Sequence, residues 1–204
     1  MGYSLNPASA NCYEGTTCLI NKFDIHDENQ LSAVEADITF AKASALEQQP
    51  IEGDFDFKHY KAIHKYLFED LYEWAGQVRT INISKKGTAF ANVAEINELA
   101  DNCFERLKAK NYFCDLPFEE FVDNITDFYC VTNMLHPFRE GNGRTQRVFI
   151  TQLIRHAGYE IDFAEIDPDE LMIATIRAAN GVTDGLRALL EEHIFRGQEI
   201  IQSM

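Results

Sequence analysis

Apolar residues recur at helical spacing along most of the chain. Leu31, Val34, Ile38, Ala41 and Ala45 form a first stripe, and Asp27 with Gln30 three positions on reads as the capping box that starts it. After a break at residues 48–53, Phe57, Tyr60, Ile63, Leu67, Leu71 and Trp74 define a second helix face, which Gly76 ends. Val93, Ile96, Leu99, Cys103 and Leu107 follow Asn92 and Glu95, which form another capping box, as a third stripe. Asp115 opens a fourth helix, faced by Phe118, Phe121, Val122, Ile125, Phe128, Thr132 and Leu135. A fifth, over 143–156, carries Val148, Phe149, Ile150, Leu153 and Ile154 and closes at Gly158. Asp167-Pro168 starts a sixth, with Pro at its first position, and residues 178–181 end it. Leu186, Leu189, Leu190 and Ile194 mark the last.

The period changes between residues 78 and 91. Val78, Ile81 and Ile83 are β-branched, residues 84–87 (Ser-Lys-Lys-Gly) make a turn, and Thr88-Ala89-Phe90 returns as a second strand. By pattern alone this is a connector, since a lone two-strand hairpin is marginal. Its open edge is nevertheless of a kind that pairs with an extended segment of another protein. The fold expected is all-α: a helical bundle with one small β-hairpin. A single domain over 1–204 is expected, with a core at about 55–197 and an N-terminal helical segment at about 13–50. Residues 1 to about 12 read as a loose arm, and Ser203-Met204 should fray. No internal repeat or linker breaks the chain.

Composition narrows the function. The net charge of −15 over 204 residues argues against general nucleic-acid binding. No apolar run reaches the length of a membrane span, and no signal peptide is evident, so a cytoplasmic protein is expected, or one delivered from there into another cell. Five cysteines without a Cys-x-x-Cys read as reduced thiols rather than a zinc site. Against the acidic background, Arg139, Arg144, Arg147 and Arg155 form a basic island.

The chemistry concentrates in His136-Pro137-Phe138-Arg139-Glu140-Gly141-Asn142-Gly143-Arg144-Thr145-Gln146-Arg147. Gly141 and Gly143 permit backbone conformations and close approaches closed to other residues. A helix beginning near Asn142 would aim its unpaired N–H groups at an anion. Arg144 and Arg147, three apart, share one helix face, and guanidinium forks match phosphate oxygens. Glu140 suggests Mg²⁺, which takes one or two carboxylates together with substrate phosphates. His136, at the other lip of the turn, can accept a proton near neutral pH. Phe138 reads as the core anchor of the loop. His64 has no second ligand four residues away and is structural.

This run resembles the signature of the Fic family, with every signature position filled: a histidine, a phenylalanine, an acid, Gly-Asn-Gly and two arginines three apart. The segments around 64–79 and 13–45 are also similar to compact bacterial Fic proteins. The resemblance implies transfer of AMP from ATP to a Ser, Thr or Tyr hydroxyl of a target protein, or of the protein itself. It implies His136 as the base, Glu140 on Mg²⁺, and Gly141, Asn142 and Gly143 around the α- and β-phosphates. Arg144 and Arg147 would hold the β- and γ-phosphates. It also turns the 78–91 hairpin into a target-docking flap, with Lys85, Lys86, Gly87 and Phe90 as its residues.

Many family members are silenced by a glutamate that pairs with the second signature arginine, here Arg147. The motif is Ser or Thr, three residues, Glu, then Gly or Asn, and no Ser or Thr of this chain begins it. The nearest segment, residues 31–36, makes Glu35 the candidate inhibitory residue, although a helix-surface acid is the favoured reading of it. The missing motif instead resembles Fic toxins restrained by a small antitoxin protein. Two other functions compete: a phosphate or other nucleotide transfer of the Doc type, and nucleotide binding without chemistry.

Overall fold

The computed structural model describes residues 11–85 and 87–196. Most of the expected N-terminal arm, Lys86 of the flap, and Ser203-Met204 lie outside them. Seven α-helices are present among the described residues: α1 Glu28–Gln48, α2 Phe57–Phe68, α3 Ile96–Ala109, α4 Phe118–Leu135, α5 Asn142–His156, α6 Pro168–Ala179 and α7 Asp184–His193. Two antiparallel strand pairs accompany them. The first joins β1 (Ser84–Lys85) to β2 (Thr88–Ala89), and the second joins β3 (Tyr159–Ile161) to β4 (Ile194–Arg196). No helix among the described residues is long and apolar enough to cross a membrane.

The helix starts follow their caps. Asp27 accepts from the Gln30 N–H at 2.8 Å, and Asp167 accepts from the N–H groups of Asp169 and Glu170 at 2.9 and 3.0 Å. Four expectations shift. Helix α2 stops at Phe68 rather than near Gly76, and the chain then turns back so that the Gly76 N–H donates to His64 Nδ1 at 2.8 Å. Helix α4 starts at Phe118, because Asp115 takes φ +62°, which cannot open a helix. The first hairpin pairs Ser84 with Ala89 and Lys85 with Thr88, so its strand lies beyond the β-branched run and its turn has two residues. The second pair, β3 with β4, was not expected.

Helix α5 forms the centre and packs on α2 and α4. Its Phe149 is fully buried, with Tyr60, Phe104 and Phe128 at ring-centroid distances of 5.3, 5.6 and 5.9 Å. Phe138 anchors the loop before α5 as expected. It is fully buried and stacks on His64 at 3.7 Å and on Tyr60 at 5.7 Å. Burial of such a ring contributes roughly 1.5–3 kcal/mol. Helix α1 differs from its reading. Its buried residues are Leu31, Glu35, Thr39 and Leu46, so a carboxylate and a hydroxyl face inward at helical spacing.

Candidate active site

The loop from His136 to Gly141 is held from several sides. The side chain of Asn142 accepts from the Phe138 N–H and donates to the Phe138 carbonyl, both at 2.8 Å. His64, on α2, is fully buried against Phe138 of this loop. Its Nδ1 accepts from Gly76, so Nε2 carries the hydrogen and donates to the Glu140 carbonyl at 3.0 Å. Gly141 begins α5 with φ +77°, and a Cβ there would stand 2.1 Å from the Phe68 ring, so conformation and space both require glycine. Thr145 N–H makes the first helical bond, to the Gly141 carbonyl at 3.1 Å. The N–H groups of Asn142, Gly143 and Arg144 therefore precede the helical ladder and form a positive helix end.

That end opens into a cavity of about 430 Å³. His136, Glu140, Gly141, Gly143, Arg144, Arg147, Lys85 and Phe90 all line it, so the turn and the flap meet there. The Asn142 side chain is committed to Phe138, and Asn142 is buried and absent from the cavity lining. Gly87, at φ +82°, forms the turn of the flap away from the cavity lining. The basic island divides. Arg144 and Arg147 face the cavity, Arg139 is buried with Nη2 3.6 Å from Cys12 Sγ, and Arg155 pairs with Glu160 at 2.7 Å.

His136 ends α4 in a left-handed conformation, φ +41°. Its Nδ1 lies 3.1 Å from the Asn133 carbonyl, which can only accept, so Nε2 carries the lone pair. Phe90 stacks on the imidazole at 3.6 Å, with the planes 10° apart. Burial lowers the His136 pKa to about 3, which keeps the ring neutral. Burial pushes the Glu140 carboxyl up, against the Gly141 N–H that donates to it at 2.9 Å.

The arginines differ. Arg147 is half-buried, and burial lowers its pKa. No hydrogen bond or ion pair holds its guanidinium among the described residues. Arg144 is anchored instead: it donates to Glu35 and, at 3.1 Å, to Thr39 Oγ1, and its guanidinium lies over the Phe68 ring at 4.9 Å. Glu35 is therefore no surface acid. It is buried, and its partner is Arg144 rather than Arg147.

Sequence reasoning missed three groups. The far wall of the cavity is apolar and comes from Phe163, Ile166, Leu171, Met172 and Ile176. Gln146 donates to the Tyr129 carbonyl and Thr132 Oγ1 at 2.8 and 2.7 Å and ties α5 to α4. Arg79 joins the flap to the catalytic loop. A repeat at Leu171, Thr175 and Ala179, offset by one from Met172 and Ile176, was the available sign of a second face on α6.

The fold and cavity are those of a small helical transferase. The chain belongs to the Fic/DOC family, whose model matches residues 54–154. It is 40% identical over 171 residues to a probable protein adenylyltransferase, y4lH, of Sinorhizobium fredii, covering 83% of this chain and 88% of that one. It is 37% identical to the protein adenylyltransferase VbhT of Bartonella schoenbuchensis, over 88% of this chain but only 37% of that longer protein. Among solved structures it is similar to BepC of Bartonella tribocorum with bound AMPPNP, at TM-score 0.87 and 29% identity, covering 92% and 97% of the two chains. An effector Fic domain of Bartonella quintana with bound ADP gives the same TM-score and identity over 94% and 97%.

Proposed function

We propose that the protein transfers AMP from Mg·ATP to a hydroxyl side chain of a target protein. The observation that carries this is the Arg147 guanidinium, which lines the cavity with no acid on it among the described residues, beside the open end of α5 and within the same cavity as His136. A half-buried cation without a partner is costly unless an anion joins it. Of the relatives named above, VbhT is a protein adenylyltransferase and y4lH a probable one, and the structures named above hold AMPPNP or ADP, a ligand that supplies that anion.

The hydroxyl oxygen of the target attacks the α-phosphorus in line. A P–O bond forms to the target, the bond from the α-phosphorus to the bridging oxygen breaks, and pyrophosphate leaves. His136 Nε2 takes the hydroxyl proton. Arg144, Arg147 and the N–H groups of α5 bind the triphosphate, and the apolar α6 wall accommodates the base. Positioning and fixed charge supply most of the rate in such transfers. No cluster of three acids, cysteines or histidines capable of holding a metal occurs among the described residues. A single carboxylate, Glu140, on the cavity wall fits Mg²⁺, which takes its remaining ligands from phosphate and water. Bound there, the ion would neutralise charge on the bridging phosphates. Lys85 and Phe90 place the flap at the mouth, where a target segment would pair with β2.

The same geometry supports restraint from outside the chain. Glu35 is taken by Arg144 and Tyr72, so it leaves Arg147 open to a γ-phosphate. A small antitoxin protein presenting an acid to Arg147 would close that site. The Fic domain would then act in the cytoplasm or in a cell that receives it.

The test is incubation with Mg²⁺ and ATP labelled at the α- or the γ-phosphate, together with a lysate, read by intact mass and by label on protein. AMP transfer puts the α label on protein. Label from the γ position alone would replace this reading with phosphate transfer, and no label with nucleotide binding only.

A further inference from the structure

We propose that Glu35, Thr39 and Tyr72 form a positioning network that holds Arg144 in its phosphate-binding orientation, so that Glu35 supports the reaction rather than restraining it. The inference rests on reading Arg144 as a ligand of the β- and γ-phosphates, and it deepens that reading.

The network joins α1, the segment that follows α2, and α5. Glu35 and Thr39 lie four apart on α1 and face inward together. Glu35 Oε1 accepts from Arg144 Nη2, and Glu35 Oε2 accepts from the Tyr72 hydroxyl. Thr39 Oγ1 accepts from Arg144 Nη1 at 3.1 Å and donates to the Glu35 carbonyl at 2.7 Å. The guanidinium lies over the Phe68 ring. Two acceptors and a ring thus fix one plane of Arg144. Burial raises the Tyr72 pKa well above its ordinary value, so the hydroxyl stays a donor to the carboxylate.

Two observations decide the sign. Glu35 is absent from the cavity lining, whereas Arg144 is part of it, so the acid stands behind the arginine and not in the place of a ligand. A glutamate that blocks a phosphate does so from the phosphate's place, on the cavity side of the arginine. Secondly, Arg144 Nη2 lies 3.7 Å from Glu140 Oε1. Without Glu35 the guanidinium would swing onto Glu140, and an arginine and a metal-binding carboxylate would be withdrawn from the triphosphate together. A ligand group is only as precise as the shell that supports it.

The test measures the binding of ATP, ADP and AMP, each with Mg²⁺, to the full chain and to its E35A, E35Q, T39A, Y72F and R144A variants, beside the rate of AMP transfer. Loss of a supporting partner commonly costs about 10–100-fold. E35A is expected to weaken ATP and ADP at the lower end of that range, to leave AMP unchanged, and to slow transfer. E35Q, which keeps an acceptor for Arg144, should recover part of the loss. A raised transfer rate in E35A would make Glu35 a restraint and overturn the proposal. Equal weakening of all three nucleotides would reduce it to helix packing and overturn it too. If E35A fails to fold, Y72F and T39A, each of which removes a single hydroxyl, must show the same preference against ADP and ATP in milder form. Should R144A bind ADP and AMP as the parent does, the reading of Arg144 itself fails. Should R144A discriminate between them while E35A does not, only the proposal fails.

Discussion

Arg79 Nε donates to the His136 carbonyl at 2.9 Å. The same guanidinium donates through Nη1 to the Ile81 carbonyl at 2.7 Å and through Nη2 to the Ala91 carbonyl, while the Arg79 N–H reaches the Pro137 carbonyl at 2.9 Å. One buried side chain therefore ties both ends of the flap to the residue that takes the proton. Phe90, on that flap, stacks on the imidazole, so the position of the base depends on the position of the flap.

R79A should accordingly cost activity through geometry. Three carbonyls lose a charged donor, for a destabilisation of ~3 kcal/mol. A small misplacement of a reacting group can cost about 10²-fold in rate. R79K, with one compact ammonium in place of the fork, should fall between the two in both denaturation midpoint and AMP transfer. A parental kcat in R79A, at temperatures where the variant is folded, would show that the flap and the imidazole are not coupled in this way.

The second expectation concerns His136. H136A should lose about 10²–10⁴-fold in transfer while still binding ATP. In the free protein the imidazole pKa lies at about 3, because burial disfavours the cation and Arg79 and Lys85 repel it. A bound triphosphate brings negative charge into the cavity and must raise that pKa toward the range where a base is effective. Histidine resonances followed against pH by NMR should show the His136 titration moving upward when AMPPNP is added. A titration that stays put, or moves down, would separate the imidazole from the nucleotide.

Arg147 sets stability against function. Its guanidinium is half-buried with no acid on it among the described residues, and burial already depresses its pKa. R147M should leave the denaturation midpoint unchanged or raise it, since an uncompensated charge is lost and the apolar stem is kept. The KM for ATP should rise about tenfold, the scale of one lost charge-assisted contact. A lower midpoint with unchanged KM would identify Arg147 as a structural residue with a partner elsewhere.

What the sequence disclosed depended on how local each feature is. The run from His136 to Arg147 was legible because its groups are contiguous and its two glycines and two arginines have a single economical explanation. The helices were legible because their apolar stripes repeat over many turns. Glu35 was misread as a surface acid because polarity at residues 35 and 39 breaks the apolar stripe of α1. The neighbours in space, Arg144 and Tyr72, give that inner face its polar partners. The α6 wall was missed because Met172 and Ile176 look like ordinary half-exposed helix positions until α5 stands across from them. The β3–β4 pair joins segments far apart in sequence through three residues each, too few for a period to register. Arg79 was hidden by a β-branched run, and the carbonyls that explain it come from three separate stretches of chain.

His64 gives the last expectation, one of stability against pH. The ring is fully buried, stacked on Phe138, and hydrogen-bonded as donor to Glu140 and acceptor from Gly76. Burial holds its pKa at about 3, below the ordinary value of 6.5. Between those values the unfolded chain binds a proton that the folded chain does not, so acidification favours unfolding. The stability that neutral His64 confers is complete above about pH 6.5 and is lost progressively as pH falls toward 3. H64Q removes the titration while retaining a donor and an acceptor. Urea midpoints of parent and H64Q, measured from pH 7 to pH 4.5, should therefore converge as pH falls, the parent being the more stable at pH 7. Because the lost contacts also fix the loop that carries Glu140, AMP transfer by H64Q at pH 7 should drop although the substituted residue touches no substrate. Parallel midpoints across that range would mean that His64 titrates alike in the folded and the unfolded chain, so that the fold does not hold its ring neutral.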